Sequence, residues 1–328
     1  MGIQFSPISE NRIDVDQAKP PDLTGAYALG VLCWLLSAGV YIAVKAVAKE
    51  VPPWTLCFWR AFLAGLILFP VLCVHRSAVA GIVRRRFFAL LVIGGLGFSI
   101  AQGLMYTGLN YTSAMNAGLI FALMPVITMI LARFLLNEPL GLQQAAGAIV
   151  AIFGMAIIVV RGDLSALLRL QVNPGELLIV LSAVSFAIYT VLLRKAKFDL
   201  PRLPLLILLL EGGAIVALPF YIWEIAHDDR TTLNMRGLFA LAYTVAPGGA
   251  LVYYLFNRSV DVLGASKAGV LLYLQTVFVA ILAFIFLGER LEPYHFGGAA
   301  FICAGVLLIT CFKPRSRHEG GILKKQLS

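Results

Sequence analysis

The chain contains one stretch twice: residues 113–158 read SAMNAGLIFALMPVITMILARFLLNEPLGLQQAAGAIVAIFGMAII, and residues 264–309 read GASKAGVLLYLQTVFVAILAFIFLGERLEPYHFGGAAFICAGVLLI. Adding 151 to each number converts one copy into the other without a gap, and fifteen of the 46 positions are identical. The identical pairs include Glu138/Glu289, Gly118/Gly269, Gly147/Gly298 and Gly154/Gly305. Shared composition alone would not keep a turn glutamate and three glycines in one register, so we infer an internal duplication.

The composition is that of a membrane protein. The 328 residues are 60% hydrophobic and 13% charged, with a mean hydropathy of +0.89, whereas a soluble domain carries about 25% charged residues. Lipid is therefore the natural solvent for this chain. The net charge of +9 resides in short loops between apolar runs, which fits topology signals and argues against a nucleic-acid partner.

Ten apolar runs are each long enough to span the membrane as a helix. They occupy residues 24–46, 54–74, 87–109, 112–135, 141–160, 174–195, 203–224, 235–258, 264–287 and 293–312. The predicted fold is thus an all-α membrane protein of ten transmembrane helices. Five spans per half is an odd number, so the second half is predicted to enter the membrane upside down, as two inverted five-helix repeats.

The predicted organisation follows from these runs. It comprises an N-terminal tail (1–23), a first repeat (24–160), a linker (161–173), a second repeat (174–312) and a C-terminal tail (313–328). With both tails on one side, seventeen of the 26 Lys and Arg residues lie on that side and seven on the other. Because cytoplasmic loops collect basic residues, we expect both termini to be cytoplasmic in a bacterial inner membrane.

A series of residues in the first half resembles a known repeat. They are Trp34, Lys45, Pro53 and Arg60 in helices 1 and 2, and Pro125, the Asn137-Glu138-Pro139 turn, Gly147 and Gly154 in helices 4 and 5. This set resembles the EamA-type repeat of the drug/metabolite transporter superfamily, over residues 24–312, and within it bacterial exporters of aromatic amino acids. The resemblance implies ten helices and export of small metabolites by alternating access. The second half departs from the pattern, because Thr276 replaces Pro125 and the counterparts of Lys45 and Arg60 are not basic.

Polar and aromatic residues recur at helical spacing, and they are the predicted substrate-binding residues. They are Trp34, Ser37, Tyr41, Ser99, Gln102, Tyr106, Asn116, Ser182, Ser185, Tyr189, Tyr253, Asn257 and Tyr273. In lipid such stripes must face protein or water. They either form interhelical hydrogen bonds of about 0.6 kcal/mol each or line one cavity near the midplane. An aromatic wall would suit aromatic or apolar solutes.

Small residues mark candidate hinges. They are Gly94, Gly95 and Gly97 in helix 3, and Pro247, Gly248 and Gly249 at matching positions in helix 8. They permit either close helix packing or gating motions. Pro125 is predicted to kink helix 4 and to free a backbone carbonyl.

Four charged residues are predicted to lie within the membrane, and they are Lys45, Arg60, Glu211 and Lys267. Arg60 and Glu211 are 151 residues apart and hence at related positions. Either they serve function, as intramembrane charges often do, or Arg60 reaches out to the membrane surface and Glu211 is neutral or hydrogen-bonded between helices. The turn residues Glu138 and Glu289 are predicted to cap helix N-termini.

No catalytic, metal or cofactor site is predicted, since the four histidines are scattered, the five cysteines lack CxxC spacing and no Walker sequence occurs. The predicted function is secondary transport that exports amino acids, including aromatic and bulky apolar ones, by a monomer in membrane lipid. Export of another metabolite, such as a nucleotide-sugar or drug, is the nearest alternative. A membrane-embedded enzyme would need clustered His or Asp, and a structural protein would not need paired polar stripes.

Overall fold

A computed structural model describes residues 23–138, 141–162, 173–227, 234–263 and 271–311, apart from the side chains of Asn257, Thr310 and Cys311. Every regular element within these ranges is a helix. The predicted tails apart from Leu23, most of the predicted linker and Lys267 lie outside the described residues.

The helices follow one another with short connections. They are α1 Leu23–Val47, α2 Pro53–Val74, α3 Arg76–Gly108, α4 Ala114–Leu135, α5 Leu142–Val159, α6 Pro174–Ala196, α7 Arg202–His227, α8 Met235–Leu263, α9 Leu272–Leu287 and α10 Pro293–Cys311. Helices α1 to α8 are long and apolar enough to cross a membrane, whereas α9 and α10 are shorter apolar helices over their described residues. Large apolar side chains cover the outside, with Phe88 79% and Leu142 88% exposed, as expected for a surface in lipid.

Two predicted helix boundaries are wrong. Helix α3 begins at Arg76 rather than at residue 87, because a helix needs backbone hydrogen bonds and not an apolar run, so its basic first part is helical as well. A kink at Arg86 (φ −133°, ψ 27°) separates that part from the apolar one. Helix α8 likewise continues past residue 258 to Leu263.

Side-chain contacts define two ends of the bundle, a lower end where α1 begins and an upper end where α1 ends. At the lower end Arg202 of α7 pairs with Asp261 of α8 at 3.1 Å. At the upper end the Glu224 carboxylate of α7 accepts the backbone N–H groups of Trp54 and Thr55 at 3.0 and 2.7 Å. This buried carboxylate satisfies donors that the start of α2 leaves without intrahelical partners.

Helices α5 and α10 cross at four glycines. A Cβ atom on Gly147 would lie 2.6 Å from the Gly305 carbonyl oxygen, and one on Gly154 would lie 2.7 Å from the Gly298 carbonyl oxygen. The contacts are reciprocal across the duplication, because Gly298 is the counterpart of Gly147 and Gly305 is the counterpart of Gly154. The backbones therefore touch at a distance that only glycine permits.

Helices α3 and α8 each contain a π-helical turn, at Gly95–Ile100 and Ala246–Leu251, and the two turns are offset by 151 residues. Such turns occur often at functional sites. Helix α4 is also interrupted, between its segments Ala114–Phe121 and Met124–Leu135. Pro125 lies in the first turn of the second segment and has no N–H to continue the helix.

Candidate functional site

A cavity of about 490 Å³ lies between the helices. It is lined by Trp34, Ser37, Val40, Tyr41, Arg60, Gln102, Met105, Phe121, Met124, Phe186, Tyr189, Thr190, Leu193, Arg202, Leu205, Leu206, Leu209, Gly248, Val252, Tyr253, Phe256, Leu272 and Gln275. These residues belong to α1–α4 and α6–α9, so α5 and α10 stand outside the cavity wall. Among the described residues the cavity reaches the lower surface at Arg202, whose side chain is 64% exposed.

Aromatic rings from both halves meet around the cavity. Edge-to-face contacts run from Tyr41 of α1 to Phe121 of α4, with centroids 6.4 Å apart, and from Phe121 to Phe186 of α6, at 5.9 Å. Phe186 in turn contacts Tyr189 of its own helix at 5.1 Å. These separations are those of favourable ring pairs, so the wall is a preformed aromatic surface.

The cavity is also lined by residues that the duplication relates. Four pairs of lining residues have an offset of 151, and they are Gln102/Tyr253, Met105/Phe256, Phe121/Leu272 and Met124/Gln275. Equivalent positions of α3 and α8, and of α4 and α9, therefore face one space. Both halves contribute to the site.

Six of the thirteen predicted binding residues line this cavity, and they are Trp34, Ser37, Tyr41, Gln102, Tyr189 and Tyr253. Two of the others, Ser182 and Ser185, make contacts elsewhere. Their hydroxyls donate to the backbone carbonyls of Ala101 (2.6 Å) and Leu96 (2.8 Å) of α3. For these two serines the structure therefore shows interhelical hydrogen bonds, which the sequence analysis gave as the alternative to lining a cavity.

Three further predicted residues are outside the lining. Ser99 and Tyr106 are fully buried in the packing of α3, with no hydrogen-bond partner for either hydroxyl among the described residues. Tyr273 packs against the apolar core from α9. The side chain of Asn257 lies outside the description.

The apolar face of α6 was not predicted to line the cavity. Phe186, Thr190 and Leu193 line the cavity beside Tyr189. Their spacing of three and four residues is that of a single helix face, which was a usable signal. The prediction included Ser182 and Ser185 instead, whose hydroxyls bind carbonyls of α3.

The two charged residues inside the helix bundle, Arg60 and Glu211, differ in whether they line the cavity. Arg60 lines the cavity and is 7% exposed, so it does not reach out to the membrane surface. Glu211 lies against Gly65 of α2, where an added Cβ atom would collide with its carboxylate, and it is not part of the lining. Only one of the two residues related by the offset of 151 therefore faces the cavity.

Lys45 lies at the upper end of α1 and forms hydrogen bonds to the backbone that follows α3. Its ammonium group donates to the carbonyls of Leu109 and Thr112 at 2.7 and 2.6 Å. These carbonyls follow the last turn of α3, where intrahelical donors run out. Lys45 therefore caps the carboxyl end of α3 and is not among the lining residues.

A buried polar network lies at the upper end. The Glu176 carboxylate of α6 is fully buried, and its Oε1 atom accepts from Asn116 at 2.8 Å, Thr112 at 3.2 Å and Arg161 at 3.3 Å. Asn116 Oδ1 lies 2.8 Å from His295 Nε2 of α10. We call Glu176, Asn116, Thr112, Arg161 and His295 the upper network. The structure thus places Asn116, a predicted binding residue, in this network and outside the cavity lining.

A second contact at the upper end joins the two copies. The Glu289 carboxylate accepts the N–H groups of Ala114 and Met115 at 2.8 and 3.0 Å, which caps the start of α4. The helix that Glu289 caps thus belongs to the other copy. Glu138 forms an ion pair with Arg194 at the lower end.

The candidate hinge residues of α3 lie at contacts between helices. An added Cβ atom on Gly94 would lie 2.3 Å from the Leu209 carbonyl oxygen of α7, and Gly95 also lies against that helix. Gly97 lies under the Tyr189 ring of α6. Close packing accounts for each of these contacts.

The candidate hinge residues of α8 belong to its π-helical turn. Gly248, which follows Pro247, approaches Val40 of α1, while Gly249 lies against Thr244 of its own helix. Packing again accounts for the contacts. The irregular backbone of the turn is the kind that hinges use.

The described residues contain no group of three or more His, Cys, Asp or Glu side chains suited to a metal ion. The polar residues of the lining are arginine, tyrosine, tryptophan, glutamine, serine and threonine. This donor set suits binding of a small solute by hydrogen bonds and ring contacts.

Comparison with known proteins gives a consistent family match. The EamA-like transporter family matches the chain twice, over residues 24–160 and 173–311. The uncharacterized transporter YyaM of Bacillus subtilis is 26% identical over 249 residues, which are 76% of this chain and 81% of that protein. An S-adenosylmethionine uptake transporter of Rickettsia prowazekii is 23% identical and aligns over 89% of this chain and 97% of its own length.

A crystal structure of similar fold covers 88% of this chain and 97% of its own, with a TM-score of 0.58 and 20% sequence identity. At that identity the likeness concerns the arrangement of helices only. It agrees with the all-helical architecture described above.

Proposed function

The chain belongs to the EamA-like transporter family of multi-pass membrane proteins, and on that premise we propose that it exports amino acids, aromatic and bulky apolar ones among them, by alternating access. The observation that carries the proposal is one cavity of about 490 Å³ with aromatic walls from both halves. Pockets for single small molecules have volumes of this order. The absence of a Walker sequence from the chain points to a solute or ion gradient as the energy source.

An inverted-repeat plan of ten spans is part of this proposal. It is supported by the repeat-related lining pairs, the equivalent π-helical turns and the reciprocal glycine contacts of α5 with α10. When two copies are related by a two-fold axis, each contact between them occurs twice, with the roles of the copies exchanged. The contacts of Gly147 with Gly305 and of Gly154 with Gly298 are such a pair. In transporters with such repeats, the substrate binds between the halves near the midplane.

Alternating access is supported by the unequal ends of the cavity. The lining reaches the lower surface at Arg202, whereas the upper network and the buried side chains of Tyr106, Leu109 and Met115 lie above it. The lower end carries the basic run 84–86, which fits a cytoplasmic location. We propose that this arrangement is the inward-facing state of the cycle.

The lining favours an amino acid over a nucleotide-sugar or sugar phosphate. A phosphorylated solute requires several cations, and the described lining offers two, Arg60 and Arg202. Arg202 is already paired with Asp261. S-adenosylmethionine is the second candidate, since it is an amino acid with an aromatic base and is the solute named for the Rickettsia relative.

The proposal is tested by transport into proteoliposomes of labelled amino acids, S-adenosylmethionine and a nucleotide-sugar, each with and without a pH gradient. We expect saturable flux of phenylalanine or tyrosine. Thr190→Trp fills the cavity and should reduce that flux at least about tenfold, while Leu181→Trp, on the outer face of the same helix and 46% exposed, should not. Flux confined to the nucleotide-sugar would refute amino acid export.

Glu211→Gln is expected to leave amino acid flux within about twofold of the wild-type rate. The Glu211 carboxylate packs against Gly65 and is not part of the cavity lining, so its charge is not needed for solute binding. Flux should follow the amino acid gradient whether or not a pH gradient is imposed. A variant that exchanges amino acids passively but no longer accumulates them with a pH gradient would show that Glu211 couples transport to protons.

A further inference from the structure

Arg60 is a buried cation that faces the cavity from α2. Its side chain is 7% exposed, and it is among the lining residues. The Nε atom donates to the Thr244 carbonyl of α8 at 3.3 Å, directly before the π-helical turn of that helix. One edge of the guanidinium is therefore fixed by the backbone, and this contact orients the head group beside the cavity.

Arg60 has no acidic counterpart among the described residues. No carboxylate oxygen lies within 4.0 Å of its guanidinium in the part of the chain that the structure describes. Of the acidic residues of the adjacent helix α7, Glu211 lies against Gly65 and Glu224 caps the start of α2. A cation held in a bilayer interior without a counter-charge is costly, and the cost falls when an anion binds.

Two tyrosines and Cys57 lie near the guanidinium. Tyr106 and Tyr253 lie close enough to interact with it electrostatically. The Tyr106 hydroxyl is buried and without a hydrogen-bond partner among the described residues. Phenol O–H and guanidinium N–H groups are donors suited to an oxyanion, and arginine binds a planar carboxylate with two parallel hydrogen bonds.

We propose that Arg60 binds the carboxylate of the transported solute, and that the apolar body of the solute lies against Tyr41, Phe121 and Phe186. The inference rests on the proposed function and adds the chemical class of the ligand: a monoanionic carboxylate with an apolar or aromatic group. A single unpaired cation matches one carboxylate charge and leaves a phosphate dianion incompletely neutralised. The second lining arginine, Arg202, is exposed at the lower mouth and paired with Asp261.

The test compares ligands that differ in the carboxylate. Binding to purified wild-type protein is measured by displacement of labelled phenylalanine, with phenylalanine, phenylethylamine and 3-phenylpropionate as competitors. We expect the wild type to bind phenylalanine about 10- to 100-fold more tightly than phenylethylamine, the range set by hydrogen bonds to charged groups. Arg60→Gln should bring that ratio close to one, and Arg60→Lys should retain part of it. Arg236→Gln, at an exposed ion pair outside the cavity lining, should leave the ratio unchanged.

A second measurement uses the unaltered protein, so that it does not depend on the folding of a variant. Phenylglyoxal modification of Arg60, followed by mass spectrometry, should be slowed by 3-phenylpropionate and not by phenylethylamine. An unchanged ligand ratio in a folded Arg60→Gln protein, or equal protection by both compounds, would overturn the assignment of Arg60. Protection by 3-phenylpropionate without any binding of amino acids would uphold the role of Arg60 and reject amino acids as the substrate.

Discussion

Replacement of Gly305 by alanine is expected to destabilise the protein by about 1–3 kcal/mol, and replacement by leucine to prevent folding to a monodisperse species. A Cβ atom at this position would lie 2.4 Å from the Gly147 carbonyl oxygen and 2.6 Å from the Ala151 backbone nitrogen. Backbone atoms cannot rotate away as a side chain can, so helices α5 and α10 would have to separate. Thermal denaturation in detergent, with size exclusion to score folding, measures the effect.

Gly297 supplies the matched control for this experiment. It lies on the same helix, and an added Cβ atom there would meet nothing within 4 Å, so Gly297→Ala should be close to neutral or slightly stabilising. The duplication adds a second check, because Gly154 is the counterpart of Gly305 and meets the Gly298 carbonyl at 2.7 Å. Gly154→Ala should cost a similar amount. Equal stability of the Gly305 and Gly297 variants would contradict the close crossing.

The positions of the apolar helices could be predicted because lipid leaves the backbone few choices. A segment in hydrocarbon must satisfy its own N–H and C=O groups, so an apolar run of about twenty residues becomes a helix. The predicted helix boundaries were inaccurate where a helix continues beyond its apolar run. The basic start of α3, from Arg76 to Arg86, is helical without being apolar, and hydropathy alone carries no information about it.

The lining of the cavity was predicted only where polarity and orientation coincide. Trp34, Ser37 and Tyr41 share a face of α1, and that face lines the cavity. On α6 the same reasoning selected Ser182 and Ser185, whose hydroxyls bind carbonyls of α3. A serine in a membrane helix is satisfied equally by a neighbouring backbone or by a watery cavity, and periodicity does not distinguish the two.

The upper network was beyond prediction because its members come together only through the fold. Asn116 is 60 residues from Glu176 and 179 residues from His295 along the chain. Glu176 lies in the first turn of α6, where an acidic residue is an ordinary feature of a helix start. The duplication gives no signal either. The counterpart of Asn116 is Lys267 and the counterpart of Glu176 is Gly25, so neither side chain is repeated in the other half.

Asn116→Ala is expected to open the upper end of the protein. The substitution removes the hydrogen bond to the buried Glu176 carboxylate and the contact with His295, both at 2.8 Å, and so weakens the hold of α4 on α6 and α10. Hydrogen bonds to charged groups contribute about 1.5–3 kcal/mol, which corresponds to a 10- to 100-fold rise in the population open at this end. The readout is the reaction of an impermeant maleimide with the thiol of Ile120→Cys, because Ile120 is fully buried one turn along α4.

The labelling requires a background in which Cys73 and Cys303, both exposed, and Cys311 are replaced by serine. Asn110→Ala is the matched control. Asn110 is at the same end, and among the described residues its amide donates to carbonyls at the end of α3, at 3.3 Å. We expect the control to label at the wild-type rate and Asn116→Ala to label about 10- to 100-fold faster from the upper side. Equal rates in the two variants would mean that the buried apolar side chains at this end, and not the upper network, hold it closed.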